Sequence, residues 1–265
     1  MSSDVSLASI DGAITPAADA LIPVTDDGLI RGDGVFEVIR VYDGVPFELD
    51  AHLRRLQRSG QGIRLDVDAE TVRADVTRLL AEAGTGPAHE AVRIMLTRGG
   101  RRIVITEPLH ETPPQARLKS ITYSPTRVLD GIKSLSYAAN MLCSRLAREQ
   151  GYDEALMVTP HGHVLEAPTS SLFYVTGGEL YTPPLAEHVL ASITRAIVIE
   201  VAGGSERAVT LTELNGADEV FLASTIREVQ PVVLVDDAPF PADGPVTAQV
   251  ASAVQAHIGA VLARA

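Results

Sequence analysis

Arg31-Gly32-Asp33-Gly34-Val35-Phe36-Glu37-Val38-Ile39-Arg40 is the stretch on which the reading of the fold turns. From Val35 to Val41 the residues alternate with the period of two that marks a strand, and Asp43-Gly44 just beyond is a tight hairpin signal. Eleven residues past that strand comes His52-Leu53-Arg54-Arg55-Leu56, inside a stretch over 50–63 whose helical stripe is Leu53, Leu56 and Ile63. A second helix is expected over 69–83, carried by Val72, Val76, Leu79 and Leu80, then strands over 91–97 and 102–106.

Glu111-Thr112-Pro113-Pro114-Gln115 interrupts this pattern, because a proline pair disrupts both helix and ladder. The organisation predicted is a smaller N-terminal α/β domain over 1–115, a linker over 116–124 and a larger C-terminal domain over 125–265. The second domain is expected to hold helices over 134–149, 192–202 and 245–262. Its expected strands lie over 154–158, 163–166, 172–175, 179–181, 219–223 and 231–235. The fold class is thus a two-domain α+β protein, with a ligand expected in the cleft between the domains.

Composition narrows the function. The chain has 265 residues, 46% of them hydrophobic, which is enough to build real cores. Its net charge of −12 and 4% aromatic content argue against nucleic acid as a partner. No apolar run approaches the ~18–20 residues of a membrane helix, and Met1-Ser2-Ser3-Asp4-Val5 lacks the basic start of a secretory signal. One cysteine, Cys143, excludes disulfide scaffolds and points to the cytoplasm. His161 and His163 have no carboxylate cluster beside them, so no metal is expected. The basic side chains comprise 20 arginines and two lysines, Lys119 and Lys133. Chemistry that needs a lysine amine therefore has two candidates, and Lys119 lies in the linker-like stretch.

Three further segments carry chemistry: Gly131-Ile132-Lys133-Ser134-Leu135-Ser136-Tyr137, Gly162-His163-Val164-Leu165-Glu166-Ala167-Pro168-Thr169-Ser170-Ser171, and Val189-Leu190-Ala191-Ser192-Ile193-Thr194-Arg195 paired with Asp218-Glu219-Val220-Phe221-Leu222-Ala223-Ser224-Thr225. Ile193 and Thr194 sit where a helix begins, so free backbone N–H groups there would hold an anion. Thr225 closes a strand with a hydroxyl on offer, and Arg55 has the forked guanidinium that phosphate recognition favours. Each has a plain alternative: a helix cap for Thr194, a solvated helix face for Arg55.

Taken in order, these segments resemble the fold-type IV family of pyridoxal-phosphate enzymes, which includes branched-chain and D-amino-acid transaminases and aminodeoxychorismate lyases. The resemblance runs from about Asp26 to Thr225. It implies pyridoxal 5'-phosphate as cofactor, with Lys133 as the lysine that condenses with its aldehyde and later moves the proton at the substrate's Cα. It implies Glu166 as partner of the pyridine nitrogen, and Arg55, Ile193, Thr194 and Thr225 as phosphate contacts. Tyr137 is matched to a tyrosine at the cofactor's phenol oxygen, one position short of the branched-chain enzymes' residue; a core tyrosine is the competing reading. Ser171 stands where the family often has Asn, and Ala191 where it often has Gly.

The resemblance also implies amino acids and keto acids as partners and a homodimer whose second copy closes each site. The strand Phe36-Glu37-Val38-Ile39-Arg40 looks like that of D-amino-acid transaminases, but the arginine–residue–histidine clamp of those enzymes is missing after Thr97-Arg98-Gly99. Arg31 and Arg93 are the substitutes expected to bind substrate carboxylates, against an exposed edge or an internal pair with a carboxylate such as Glu37. The function expected is a ping-pong transaminase acting on D-amino acids, with R-amines as further substrates. Aminodeoxychorismate lyase and a branched-chain L-amino-acid aminotransferase are the alternatives.

Overall fold

The structure, a computed structural model, describes residues 5–264. They divide into two compact units. One holds the residues up to Glu111, then Ile132–Tyr137 and the last residues from Ala260; the other holds Thr112–Gly131 and Ala138–Gly259.

In the first unit, strands β1 (Leu7–Ile10), β2 (Ala13–Pro16), β3 (Gly34–Tyr42), β4 (Val45–Pro46), β5 (Ala91–Thr97) and β6 (Arg102–Glu107) form one sheet in the order β2-β1-β6-β5-β3-β4. Its paired strands are antiparallel throughout. Helices α1 (Asp27–Arg31), α2 (Leu49–Gly62) and α3 (Ala69–Ala83) complete the unit. The alternation along β3 does what its sequence demands: Val35, Glu37, Ile39 and Val41 are buried on one face. Leu53 and Leu56 of α2 and Val72, Val76 and Leu79 of α3 share a core cluster with the apolar members of that row. Burying each such side chain contributes about 1.5–3 kcal/mol. The β3–β4 turn has Asp43 and Gly44 both at positive φ, as a two-residue hairpin of primed type requires.

In the second unit, β7 (Ala116–Thr122), β8 (Glu154–Val158), β9 (Ser171–Thr176), β10 (Glu179–Thr182), β11 (Ser205–Glu206), β12 (Glu219–Ser224) and β13 (Glu228–Val235) run in the order β11-β10-β9-β12-β13-β7-β8, with β14 (Ala238–Pro239) on β13. Helices α4 (Ala138–Glu149), α5 (Ile193–Ala202), α6 (Leu211–Leu214) and α7 (Pro245–Leu262) accompany the sheet. At its centre the rings of Phe173 on β9 and Phe221 on β12 stack at 5.0 Å. Among the described residues no helix is long and apolar enough to cross a membrane.

Four expectations are corrected. The linker over 116–124 is mostly strand β7, paired in parallel with both β8 and β13. Its alternation, with Leu118 fully buried between Arg117 and Lys119, is a strand pattern that the adjacent prolines mask. The helix expected from 134 begins at Ala138, because the preceding residues pair with β3 of the first unit: Phe36 N–H donates to the Lys133 carbonyl (3.0 Å) and Leu135 N–H to that of Gly34 (2.9 Å). Lys133 thus belongs to the first unit and not to a domain over 125–265. Over 163–166 there are only isolated bridges, Val158 to Val164 and His163 to Thr210, in place of a strand.

Candidate active site

In the first unit the site grows from β3. Gly34 lets the 132–137 segment approach: a Cβ there would collide with the Leu96 carbonyl and the Leu135 side chain. Ser134 bridges to Val35, and the Lys133 N–H donates to the buried Ser59 hydroxyl on α2 (3.2 Å). These bonds set the Lys133 main chain, and its Nζ lies 4.4 Å from the centroid of the Phe36 ring and 5.8 Å from that of Tyr137. The Tyr137 ring meets Phe36 edge-on at 5.2 Å. Lys119 is committed elsewhere, with its Nζ 2.9 Å from Asp236.

Behind Phe36, Glu37 points inward and is fully buried, as is His52. Arg55 Nε donates to Glu37 Oε1 (2.7 Å) and Nη2 to Oε2 (2.6 Å), while His52 Nδ1 is 2.8 Å from Oε2. Burial pushes the Glu37 carboxyl up, but the charge and hydrogen bonds of Arg55, with those of His52, outweigh it and bring it down to about 2. Burial drives His52 below its ordinary value against the pull of Glu37, with Arg55 and Lys133 adding to the decrease. Glu37 is therefore an anion that only accepts, and the neutral His52 carries its proton on Nδ1 and donates. His52 Nε2 is buried with no hydrogen-bond partner among the described residues. Helix α2 thus carries His52, Arg55 and Ser59 on one buried face, at the three- and four-residue spacings that a helix aligns.

The two arginines assigned to substrate are held by local acids. Arg31, exposed at the end of α1, pairs with Asp27 one turn back. Arg93 makes a two-bond pair with Glu107 on β6 (2.6 and 2.9 Å), and not with Glu37. Register explains the choice. Glu37 stands opposite Ile94 on the α2 side, whereas Arg93 stands opposite Val38 and Ile105, on the other face. On that face the Arg93 guanidinium lies 6.0 Å from the centroid of Phe36, the ring that also carries the Lys133 amine.

In the second unit, Glu166 is tied to β8 by Met157 N–H donating to its carbonyl (3.0 Å), and the Leu190 N–H donates to its Oε1 (3.0 Å). Ser192 caps α5, its hydroxyl accepting from the Arg195 N–H (3.3 Å). Ile193 and Thr194 are then the first two helical residues, whose N–H groups have no intrahelical acceptor and lie at the positive end of the helix dipole. Thr225 opens the three-residue turn from β12 to β13. The hydroxyls of Ser170 and Ser171 are buried without hydrogen-bond partners among the described residues.

An amine on an aromatic ring, an anchored guanidinium, a helix N-terminus and an oriented carboxylate are the donors that a phosphorylated pyridine aldehyde needs. The first two lie in the first unit and the last two in the second, and they are the kinds of group expected of a pyridoxal-phosphate enzyme of fold type IV. The comparisons agree. The model of the amino-transferase class IV family matches residues 34–235. A putative branched-chain-amino-acid aminotransferase of Methanocaldococcus jannaschii is 33% identical, over 86% of this chain and 87% of its own. The D-alanine aminotransferase of Bacillus licheniformis is 31% identical, over 94% and 95%. A solved structure, a hypothetical aminotransferase from Mycobacterium tuberculosis in its pyridoxal-phosphate-bound form, superposes with a TM-score of 0.85 at 26% identity, over 96% of this chain and 99% of that one. The chain belongs to the class IV aminotransferase family, whose enzymes depend on pyridoxal phosphate and move amino groups between amino acids and keto acids.

Lys133, Arg55 and Glu166 stand out in the sequence, Glu166 through the family resemblance, whereas Glu37 enters only as a candidate partner of Arg93, and His52 and Ser59 have no role there. An acid at an inward position of an otherwise apolar strand, followed by His-x-x-Arg on one helix face, was the available signal.

Proposed function

We propose that this enzyme is a transaminase for D-amino acids, with a keto acid as acceptor. One observation carries the reading as an amino-acid enzyme: the Arg93 guanidinium and the Lys133 amine both approach the Phe36 ring, at 6.0 and 4.4 Å from its centroid, so a carboxylate-binding cation and the reacting amine share one aromatic neighbour. That arrangement suits an α-amino acid better than a plain amine. The likeness to D-alanine aminotransferase over nearly the whole chain supports it further.

In this reading Lys133 holds and moves the proton at the substrate's Cα. Glu166 would pair with the pyridine nitrogen and hold a proton there, and Arg55, Ile193, Thr194 and Thr225 would hold the phosphate. Bound cofactor supplies the electron sink; the protein supplies position and the proton. Arg93 takes the substrate carboxylate in competition with Glu107, and Arg31 takes it from the second copy of a homodimer. Tyr137, edge-on to Phe36, would be the group to hydrogen-bond the cofactor's phenol oxygen.

The test is the visible spectrum of the purified yellow protein with D-alanine or L-alanine added and no acceptor. D-alanine alone should bleach the colour, and 2-oxoglutarate should restore it. Bleaching by L-alanine instead moves the assignment to the branched-chain class. Indifference to both, with pyruvate released from aminodeoxychorismate without an acceptor, makes the enzyme a lyase.

A further inference from the structure

The turn that Thr225 opens ends at Arg227, whose side chain folds back into the second unit and is only 14% exposed. Its Nη2 donates to Glu154 Oε2 (2.6 Å), its Nη1 to Gln230 Oε1 (3.3 Å), and its backbone N–H to the Ser224 hydroxyl (3.2 Å). Glu154 begins β8 and is buried; its other oxygen accepts from the Ser144 hydroxyl on α4 (2.6 Å) and from the Ala155 N–H (3.2 Å). Gln230 in turn donates to the Pro113 carbonyl (2.5 Å). Both carboxylate oxygens are thus occupied. A buried pair saturated in this way contributes little to stability relative to apolar packing but fixes geometry strongly.

The position of the pair gives it a use. Only Ile226 separates Arg227 from Thr225, so the place where Arg227 is anchored sets where the Thr225 hydroxyl and N–H point. Charge-assisted bonds to a phosphate lose strength over a few tenths of an ångström.

We propose that Arg227, seated on Glu154, is a positioning residue that holds the Thr225 turn in register for the cofactor phosphate. The proposal rests on the assignment of Thr225 as a phosphate contact. The bonds of the pair run to Ser224, Gln230, Ser144 and Ala155 and not to Lys133, so its effect should be specific to the phosphate end.

The full chain, freed of cofactor, is titrated with pyridoxal phosphate and separately with pyridoxal, which lacks the phosphate. Arg227→Met should weaken pyridoxal phosphate about tenfold, in the range of one lost charged hydrogen bond, and leave pyridoxal within about twofold. Arg227→Lys, which keeps the cation, should recover most of the loss. Equal weakening of both ligands, or none, overturns the proposal. Thr225→Val separates the two assumptions. If it does not narrow the gap between the two ligands, the phosphate assignment fails; if it does and Arg227→Met does not, the positioning role fails. Should Arg227→Met not fold, Ser144→Ala removes one bond to Glu154 and leaves the cation in place. It should then cost about two- to threefold for pyridoxal phosphate alone, and a change shared with pyridoxal, or no change, overturns the proposal.

Discussion

Glu37 shows how much one residue in a strand can organise. Its carboxylate neutralises Arg55 inside the core and orients His52, while its neighbour Phe36 carries the Lys133 amine on the opposite face. Glu37→Gln leaves a buried guanidinium without its counter-charge, so a loss of roughly 3–5 kcal/mol is expected in urea unfolding; a loss under about 1 kcal/mol would contradict the buried-pair account. Acid should act in two stages. His52 and Glu37 both titrate lower in the folded chain than in the unfolded one, so the unfolded state binds protons first. The contribution of His52 begins to fade as pH falls below 6.5, and that of Glu37 fades from 4.5 down to about 2. Melting temperature measured against pH should therefore fall in both windows, and Glu37→Gln should flatten the lower one. At Lys133, substitution by Ala should cut transamination by at least about a thousandfold, within the range for a lost general base. Borohydride should attach the cofactor to the peptide containing residue 133 in the parent and to no peptide in the variant.

The element with the sharpest prediction is α5. Its first N–H groups point out of the helix whatever side chains follow, so the phosphate contact proposed at Ile193 would be a main-chain property. Proline at the first helical position keeps the helix and removes that one donor. Ser192 before it is already extended (φ −70°, ψ 140°), as a residue preceding proline must be. Ile193→Pro should leave the circular dichroism unchanged and weaken pyridoxal phosphate on the order of tenfold, with pyridoxal unaffected. An unchanged affinity for pyridoxal phosphate would remove Ile193 from the site. The 132–137 segment makes the complementary point. It lies between two stretches of the second unit yet joins the sheet of the first, so its conformation is set by β3 and Ser59.

At the scale of the molecule, the apolar surface is distributed unevenly. Leu21 and Val24 are 84% and 80% exposed, and Leu29 and Ile30 of α1 are more than half exposed. Large apolar side chains bare within ten residues of one another mark an interface more readily than an ordinary surface. Arg31 follows them directly, which supports the proposal that a homodimer brings it to a neighbouring site. Leu29→Glu with Ile30→Glu should turn a dimer into a monomer in sedimentation velocity and raise KM for the amino acid. A parent chain that sediments as a monomer sinks the proposal.

Much of this was legible before any coordinates. The β3 alternation, the Asp43-Gly44 turn and the two helices after it are local properties that periodicity and turn chemistry report directly, and the order of the five motifs was legible through the family resemblance. Strand β7 was hidden by its neighbouring prolines. The partners of the charged residues were not legible, because register decides them. Arg93 meets Glu107 and Glu37 meets Arg55 because pairing sends alternate residues to opposite faces, and a slip of one residue would exchange those faces. By itself the sequence determined the strand and helix patterns, the family resemblance and a choice between two lysines. The tertiary structure decided which cations are already neutralised, where Lys133 is seated and which carboxylate anchors the Thr225 turn, since each depends on contacts between residues far apart in the chain.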